Sequence, residues 1–116
     1  MSKASREKGL RREREIVARH IEAGIIAERV PLSGAQRYQG NGADVDVYAF
    51  GNDAAPLVTE VKARANGEGF TTIERWLSDA DALFLVRDQE LPGQPAPLPL
   101  VVLPWAVWIR LLDAIA

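Results

Sequence analysis

Two charged residues are separated by a single residue in an apolar run, in the segment LVTEVKA at residues 57–63. Alternate side chains of a β-strand point to the same face, so Glu60 and Lys62 are expected to project side by side. An acid beside a lysine on a largely apolar strand is either an ion pair at the edge of a sheet or part of an active site. What else lies near this strand decides between the two.

A second pair of acids occurs in the segment ADVDVYAF at residues 43–50, which also reads as a strand. Asp44 and Asp46 alternate with valines and therefore share one face. The turn sequence GNDAAP joins this segment to the next one and predicts a hairpin, which would bring the aspartates towards Glu60. The alternative is an amphipathic strand that shows its acids to water.

A further acid interrupts the apolar stripe of the first predicted helix. Glu13 lies three positions after Leu10 and four before Val17, and residues at these spacings share a helix face. Because a buried, unpaired carboxylate is costly, Glu13 is expected to be paired or bound to a metal. The helix pattern alone favours pairing at the rim of the stripe, with one of three neighbouring arginines: Arg11, Arg12 or Arg14.

Together these residues suit the hydrolysis of phosphodiester bonds. Several carboxylates crowded beside one lysine would be stabilised by a divalent cation, and Mg²⁺ or Mn²⁺ prefers such oxygen ligands. The ion would activate a water, while Lys62 would orient or deprotonate that water and stabilise the developing charge. The candidate ligands are four carboxylates: Glu13, Asp44, Asp46 and Glu60.

The composition limits the number of domains, the kinds of metal site and the partners that this chain can have. The chain has 116 residues, 47% of them hydrophobic, which suits one domain with its own core, and it has no cysteine for disulfides or thiolate metal sites. Seven of the 14 Lys and Arg residues lie in the first 20 positions, beside only three of the 16 Asp and Glu. This basic segment predicts contact with phosphates through Arg11 and Arg12; the alternative is a solvated helix face.

The N-terminal segment is charged and has no apolar signal core, so a cytoplasmic protein is expected. The apolar stretch at 97–116 contains three prolines as well as Arg110 and Asp113, which argues against a membrane span.

The order of elements is predicted as α-β-β-β-α-β-β-α, which fits an α/β fold with a mixed central sheet flanked by helices. The predicted segments are a basic helix within 1–23 that ends at Gly24, a strand at 25–30, a mobile loop at 31–43, the hairpin, a helix at 70–78, strands at 81–86 and 98–103, and a closing helix from 105.

Three other predictions concern packing. The last two strands lack polar alternation, which indicates cover on both faces. Trp105 and Trp108 share a helix face with Leu112 and are expected to pack rather than to stack on bases. His20 is expected on the surface of the first helix or at its rim, and not as a metal ligand.

The ordered set of helix Glu, strand Asp and Glu-x-Lys resembles the PD-(D/E)XK nuclease superfamily, in particular the archaeal-type and phage-encoded Holliday-junction resolvases. The resemblance is carried by KGLRREREIV, ERVPLSG, ADVDVYAFG, TEVKAR and the tail ERWLSDADALFLVRD with PLVVLPW. It covers nearly the whole chain and implies one nuclease domain over 1–116 with a restriction-endonuclease-like fold. It also implies a Mg²⁺-dependent homodimer that cuts four-way DNA junctions.

The resemblance assigns roles residue by residue. Glu13, Glu60 and either Asp44 or Asp46 match the metal ligands, and Lys62 matches the catalytic lysine. Position 43 is alanine, where the name of the motif leads one to expect proline; Asp44 follows that position and is the favoured aspartate. The resemblance implies that three residues face DNA phosphates, Arg14, Arg29 and Ser33, and Arg64 just beyond Lys62 is a further candidate that solvation alone would also explain.

Two other functions remain open. One is a nicking or repair endonuclease of the same superfamily without preference for junctions. The other is a DNA-binding module in which the carboxylates hold no metal and no bond is cut.

Overall fold

The computed structural model describes residues 3–30, 44–65, 67 and 69–115. Its elements are α1 (Lys3–Glu22), β1 (Ala27–Arg29), β2 (Val45–Val47), β3 (Leu57–Thr59), α2 (Phe70–Leu77), β4 (Leu83–Leu85), β5 (Leu100–Val102) and α3 (Trp105–Ile115). Their order is the predicted one, so the α/β class is confirmed. The predicted mobile loop at 31–43, which includes Ser33, lies outside the described residues.

Strands β1, β2 and β3 form one antiparallel sheet in that order. Val45 pairs with Arg29 on one side and with Thr59 on the other, and Asp46 pairs with Glu28 and Val58. The predicted hairpin between the two acidic segments is therefore confirmed. The alternation of charged and apolar residues specified its register, because a shift of one residue would turn every valine of β2 to the other face.

Strands β4 and β5 pair only with each other among the described strands, with Phe84 opposite Val101. The prediction of one mixed sheet is thus not met: the described strands form two small antiparallel sheets. The prediction that both faces of these last strands are covered is also wrong, since Phe84, Leu100 and Val101 are exposed. A continuous apolar run is consistent with a strand covered on both faces, but the run does not show that other elements pack on both of them.

The core lies between one face of the three-stranded sheet and the helices α1 and α3. Ala27, Val45 and Val47 are buried together with Leu112 of α3, and Trp108 packs against this cluster. The predicted packing of Trp108 with Leu112 is confirmed. Burying an aliphatic side chain of this size contributes about 1.5–3 kcal/mol, so this cluster holds the helices to the strands that carry the acids.

Gly24 ends α1 as the sequence predicts. Its φ of 86° is in the left-handed region, which only glycine enters at little cost. The amide of Gly24 donates to the carbonyl of Ile21 and the next amide, that of Ile25, donates to the carbonyl of His20, both over 2.9 Å. This turn directs the chain from the helix into β1.

His20 lies in the interior, contrary to the predicted surface position, with only 2% of its area exposed. The indole Nε1–H of Trp108 donates to Nε2 of His20 over 2.9 Å, and Nδ1 of His20 lies 2.8 Å from the carbonyl oxygen of Ile16. An indole nitrogen can only donate, so Nε2 is the acceptor and Nδ1 carries the hydrogen that reaches Ile16. The ring of Trp105 meets the His20 ring edge to face, with centroids 4.9 Å apart.

No helix in the described part of the chain is both long and apolar enough to cross a membrane.

Candidate functional site

Asp44 is held at the entry to β2 by the segment that leaves β3. The backbone N–H of Val61 donates to Oδ2 of Asp44 over 2.7 Å. The register that pairs Val45 with Thr59 continues outward by one residue to place Asp44 opposite Glu60. Directly opposed residues of antiparallel strands are close neighbours, so these two acids lie at the same end of the sheet.

Helix α1 brings Glu13 to the same end. Its Oε1 lies 3.6 Å from Nη1 of Arg29, and its side chain is only 18% exposed. The pKa of Glu13 is raised, first by burial and then by the negative charge of Asp44, while Arg29 opposes the rise and Glu60 adds to it. The negative charges of Asp44 and Glu60, from two other parts of the chain, thus both act on Glu13.

The predicted partners of Glu13 at the rim of the helix were the wrong arginines. Nη1 of Arg12 lies instead 2.7 Å from Oε2 of Glu15. The other carboxylate oxygen of Glu15, Oε1, lies 3.5 Å from Nε of Arg19. The observed partner, Arg29, comes from β1, and nothing in the pattern of the helix could have shown it. The side chain of Arg29 thus contacts Glu13, at the end of the sheet where the acids meet.

Glu60 and Lys62 lie just beyond the last described residue of β3, where the sequence predicts a longer strand. Nζ of Lys62 is 3.4 Å from Oε2 of Glu60, so the expected side-by-side arrangement is confirmed. The two side chains are 77% and 58% exposed for Lys62 and Glu60 respectively. An ion pair this exposed contributes about 0–1 kcal/mol, and it leaves both groups accessible to a ligand.

Asp46 has different surroundings from Asp44. It is fully buried, on the face of β2 opposite to Val45 and Val47, and neither of its carboxylate oxygens has a hydrogen-bond partner among the described residues. Burial raises its pKa, and the negative charge of Glu28, its partner across the sheet, raises it further. The described contacts therefore group Asp46 with Glu28, and Asp44 with Glu13 and Glu60.

Glu28 was not singled out from the sequence. Its Oε1 accepts a hydrogen bond from the hydroxyl of Tyr48 over 2.8 Å. The signal for Glu28 was the two-residue alternation that places Asp44, Asp46 and Tyr48 on one face of the chain. Glu28 joins that face because it pairs with Asp46 across the sheet.

Carboxylate oxygens are the ligands that Mg²⁺ and Mn²⁺ prefer, so the donor set of Glu13, Asp44 and Glu60 fits such an ion chemically. Within the described ranges, no group of three or more Asp, Glu or His side chains lies close enough together to hold a metal ion. The repulsion that raises the pKa of Glu13 is an interaction that a bound cation would relieve. The fit thus rests on the chemistry of the donors and on the negative charge that Asp44 and Glu60 exert on Glu13.

The other basic residues proposed to contact DNA are spread along the surface. Arg11, Arg14 and Arg64 are exposed, as is Arg12 beside Glu15. Arginines in exposed positions are accessible to phosphate, although Arg12 would exchange its ion pair with Glu15 for such a contact. Ser33 is among the residues that the structure does not describe.

A cavity of about 540 Å³ opens beside Glu60 and Lys62. We call it the Trp105 pocket. Its walls come from α1, the end of β3, β5 and the start of α3, and they include His20, Thr59, Val101, Leu103, Trp105 and Trp108. The candidate catalytic pair thus stands at the edge of a largely apolar cavity.

Comparison with protein-family models, with curated proteins and with solved structures finds no significant match to this chain.

Proposed function

We propose that this chain is a metal-dependent DNA endonuclease of the PD-(D/E)XK type that cuts four-way junctions. The observation that carries the proposal is the hydrogen bond from the N–H of Val61, which lies between Glu60 and Lys62 in the chain, to the carboxylate of Asp44. The negative charges of Asp44 and Glu60 both act on Glu13, which contacts Arg29 at the same end of the sheet. Lys62 stands beside Glu60. Three carboxylates with one adjacent lysine are a suitable set of groups for phosphodiester hydrolysis.

Glu13, Asp44 and Glu60 would hold Mg²⁺ or Mn²⁺, which when bound supplies an activated water and positive charge at the phosphate. The ammonium of Lys62 donates a hydrogen bond to a phosphate oxygen and so stabilises the charge that develops there. The water oxygen would bond to phosphorus and lose a proton to solvent, while one P–O ester bond breaks and its leaving oxygen takes up a proton from solvent. The products are one phosphate end and one hydroxyl end. Val61 holds Asp44 in position through its N–H, and Arg29 does the same for Glu13.

The proposal gives the role of the strand aspartate to Asp44 rather than Asp46. Asp44 and Glu60 each follow directly outward from the last pair of the ladder, Val45 and Thr59, and Asp44 acts on Glu13. The charge that acts on Asp46 is that of Glu28. Asp46, the other candidate ligand from the sequence, is instead buried beside Glu28.

The proposed DNA contacts are the exposed arginines Arg11, Arg12, Arg14 and Arg64, with release of counterions from the phosphates as the driving force. Cutting two opposed strands of a junction needs two sites related by a two-fold axis, so the proposal includes a homodimer. It also includes the restriction-endonuclease-like arrangement that the resemblance implies, and a cytoplasmic location.

The test uses a synthetic four-way junction and a linear duplex of the same sequence, each incubated with Mg²⁺, with Mn²⁺ or with a chelator. The proposal predicts paired cuts in the junction only when a metal is present. Equal cutting of both substrates would favour the nicking or repair endonuclease.

A non-catalytic DNA-binding module is the second candidate. It is favoured by the pairs Glu13–Arg29 and Glu60–Lys62, in which two of the acids lie beside cations of the chain itself. Junction binding without cleavage in either metal would support it over the nuclease.

A further inference from the structure

We infer that the Trp105 pocket receives one unstacked base of the DNA strand whose phosphate lies at Lys62. The inference rests on the proposed function, because it takes DNA as the ligand. It adds a base-binding site to a centre that otherwise contacts only phosphate.

The position of the pocket supports this occupant. Glu60 and Lys62 line its opening and also belong to the proposed catalytic group. A nucleotide with its phosphate at Lys62 would therefore have its base close to the opening. The volume of about 540 Å³ lies within the usual range for small-ligand pockets, about 300–1,000 Å³.

The aromatic wall is held in place by its own contacts. Trp105 packs edge to face on His20, with the ring planes at 78°, and His20 is fixed by hydrogen bonds with Trp108 and Ile16. Bases stack on aromatic side chains regardless of their identity, and a wall that is already ordered loses little entropy on binding. Trp105 is the candidate stacking partner, because Trp108 donates its only N–H to His20 and packs against the core.

The polar groups of the walls explain why the pocket would accept any base. Both ring nitrogens of His20 are engaged, and the hydroxyl of Thr59 donates to the carbonyl of Val45 over 2.6 Å. The charged groups that remain, Glu60 and Lys62, stand at the opening. Few groups are therefore left to read the edge of a base. Bases at a branch point or in a single strand cost least to unstack, so such a pocket selects for DNA structure rather than sequence.

The experiment is photocrosslinking with 5-iodouracil, which reacts with an aromatic side chain stacked on it. The probe is placed in a single-stranded oligonucleotide and next to the branch point of a junction, in a chelating buffer without cleavage. The crosslinked peptide is identified by mass spectrometry. The proposal predicts attachment at Trp105, lost in Trp105→Leu and kept in Trp76→Leu, because Trp76 is exposed on α2 and does not line the pocket.

A second variant avoids the risk that Trp105→Leu disturbs folding. Val101 is an exposed wall residue, so Val101→Glu should fold normally while placing a negative charge in the pocket. We expect the added carboxylate to keep the base from stacking on Trp105 and so to lower crosslinking and single-strand affinity about five-fold or more, since one base–aromatic stack contributes at least that factor. Unchanged crosslinking in Val101→Glu, attachment at Trp76, or no crosslink at all would overturn the inference.

The readouts separate this inference from the proposed function. Metal-dependent junction cleavage without a crosslink at Trp105 would leave the nuclease standing and remove the base pocket. A crosslink at Trp105 without any cleavage in Mg²⁺ or Mn²⁺ would keep the pocket as a base-binding site and remove the nuclease.

Discussion

The amide of Val61 donates to the carboxylate of Asp44 over 2.7 Å, across 17 positions of sequence. The bond joins the entry of β2 to the segment that carries Glu60 and Lys62. A hydrogen bond to a charged acceptor contributes about 1.5–3 kcal/mol and is shorter and more directional than a neutral one. It therefore holds Asp44 in one position relative to the Glu-x-Lys pair.

The first prediction separates the two aspartates of the hairpin. Asp44→Asn keeps an oxygen that can accept from Val61 but removes the negative charge, so we expect cleavage to fall by about 100-fold or more with the fold intact. Asp46→Asn should retain cleavage, because the described contacts place Asp46 beside Glu28. Junction cleavage assays on both variants check this, with exposed Asp53→Asn as the control. Loss of activity in Asp46→Asn but not in Asp44→Asn would transfer the role to Asp46.

The second prediction concerns stability and the buried charge of Asp46. Its pKa is raised in the folded chain by burial and by Glu28, so the folded state holds the proton more tightly than the unfolded state does. Ionised Asp46 thus lowers stability, and this cost is absent below the ordinary Asp value of 3.8 and complete above the raised pKa. We expect Asp46→Asn to be more stable at neutral pH by about 1 kcal/mol or more, with the gain shrinking in acid.

Urea denaturation of both proteins over a series of pH values measures this difference. A variant that is less stable than the parent at neutral pH, or a difference that does not change with pH, would contradict the explanation.

The third prediction uses the cation beside Glu13. Arg29 lowers the pKa of Glu13 against the effects of burial and Asp44, so Arg29→Met should raise that pKa further. Because the ionised acid is the form that serves as a ligand, cleavage in the variant should begin at a higher pH than in the parent. Cleavage rates measured from acid to neutral pH give the shift. Arg19→Met, which removes an exposed partner of Glu15, is the control and should leave the profile unchanged.

The fourth prediction tests the bond between Trp108 and His20. Trp108→Phe removes the N–H and leaves Nε2 of the buried histidine without its donor. Leaving a buried polar group unpaired costs about 1–3 kcal/mol, to which the smaller ring adds a packing loss. The exposed Trp76→Phe should change stability by about 0.5 kcal/mol at most. Denaturation midpoints that fall equally in the two variants would show that the bond contributes nothing specific.

The order of the elements and the acidic hairpin could be predicted from the sequence because both depend on local signals. Two-residue alternation around Asp44 and Asp46, the turn that follows, and Gly24 after an apolar helix stripe are each properties of a few neighbouring residues. Alternation could not separate Asp44 from Asp46, since it places both on one face. The structure distinguishes them by the hydrogen bond from Val61 to Asp44 and by the full burial of Asp46.

The rest depended on contacts between distant residues. His20 is buried because Trp108, 88 positions away, donates to it, and no pattern within α1 contains that information. The pairing of Glu13 with Arg29 likewise requires β1 to pass the helix. Strands β4 and β5 form a sheet of their own. Their apolar composition could not show this, because it is compatible both with a separate sheet and with one sheet that contains all five strands.

The fifth prediction tests the central claim most directly, through Lys62→Ala on a four-way junction. Lys62 is exposed and contacts Glu60 at the protein surface, so its removal should not disturb the fold. The measurement is the single-turnover cleavage rate in Mn²⁺, with junction affinity determined separately in the presence of a chelator. If the site performs metal-dependent hydrolysis, the parent cuts the junction, and Lys62→Ala binds it with near-parental affinity but cuts at least about 100-fold more slowly. Cleavage by Lys62→Ala at the parental rate would contradict the assignment.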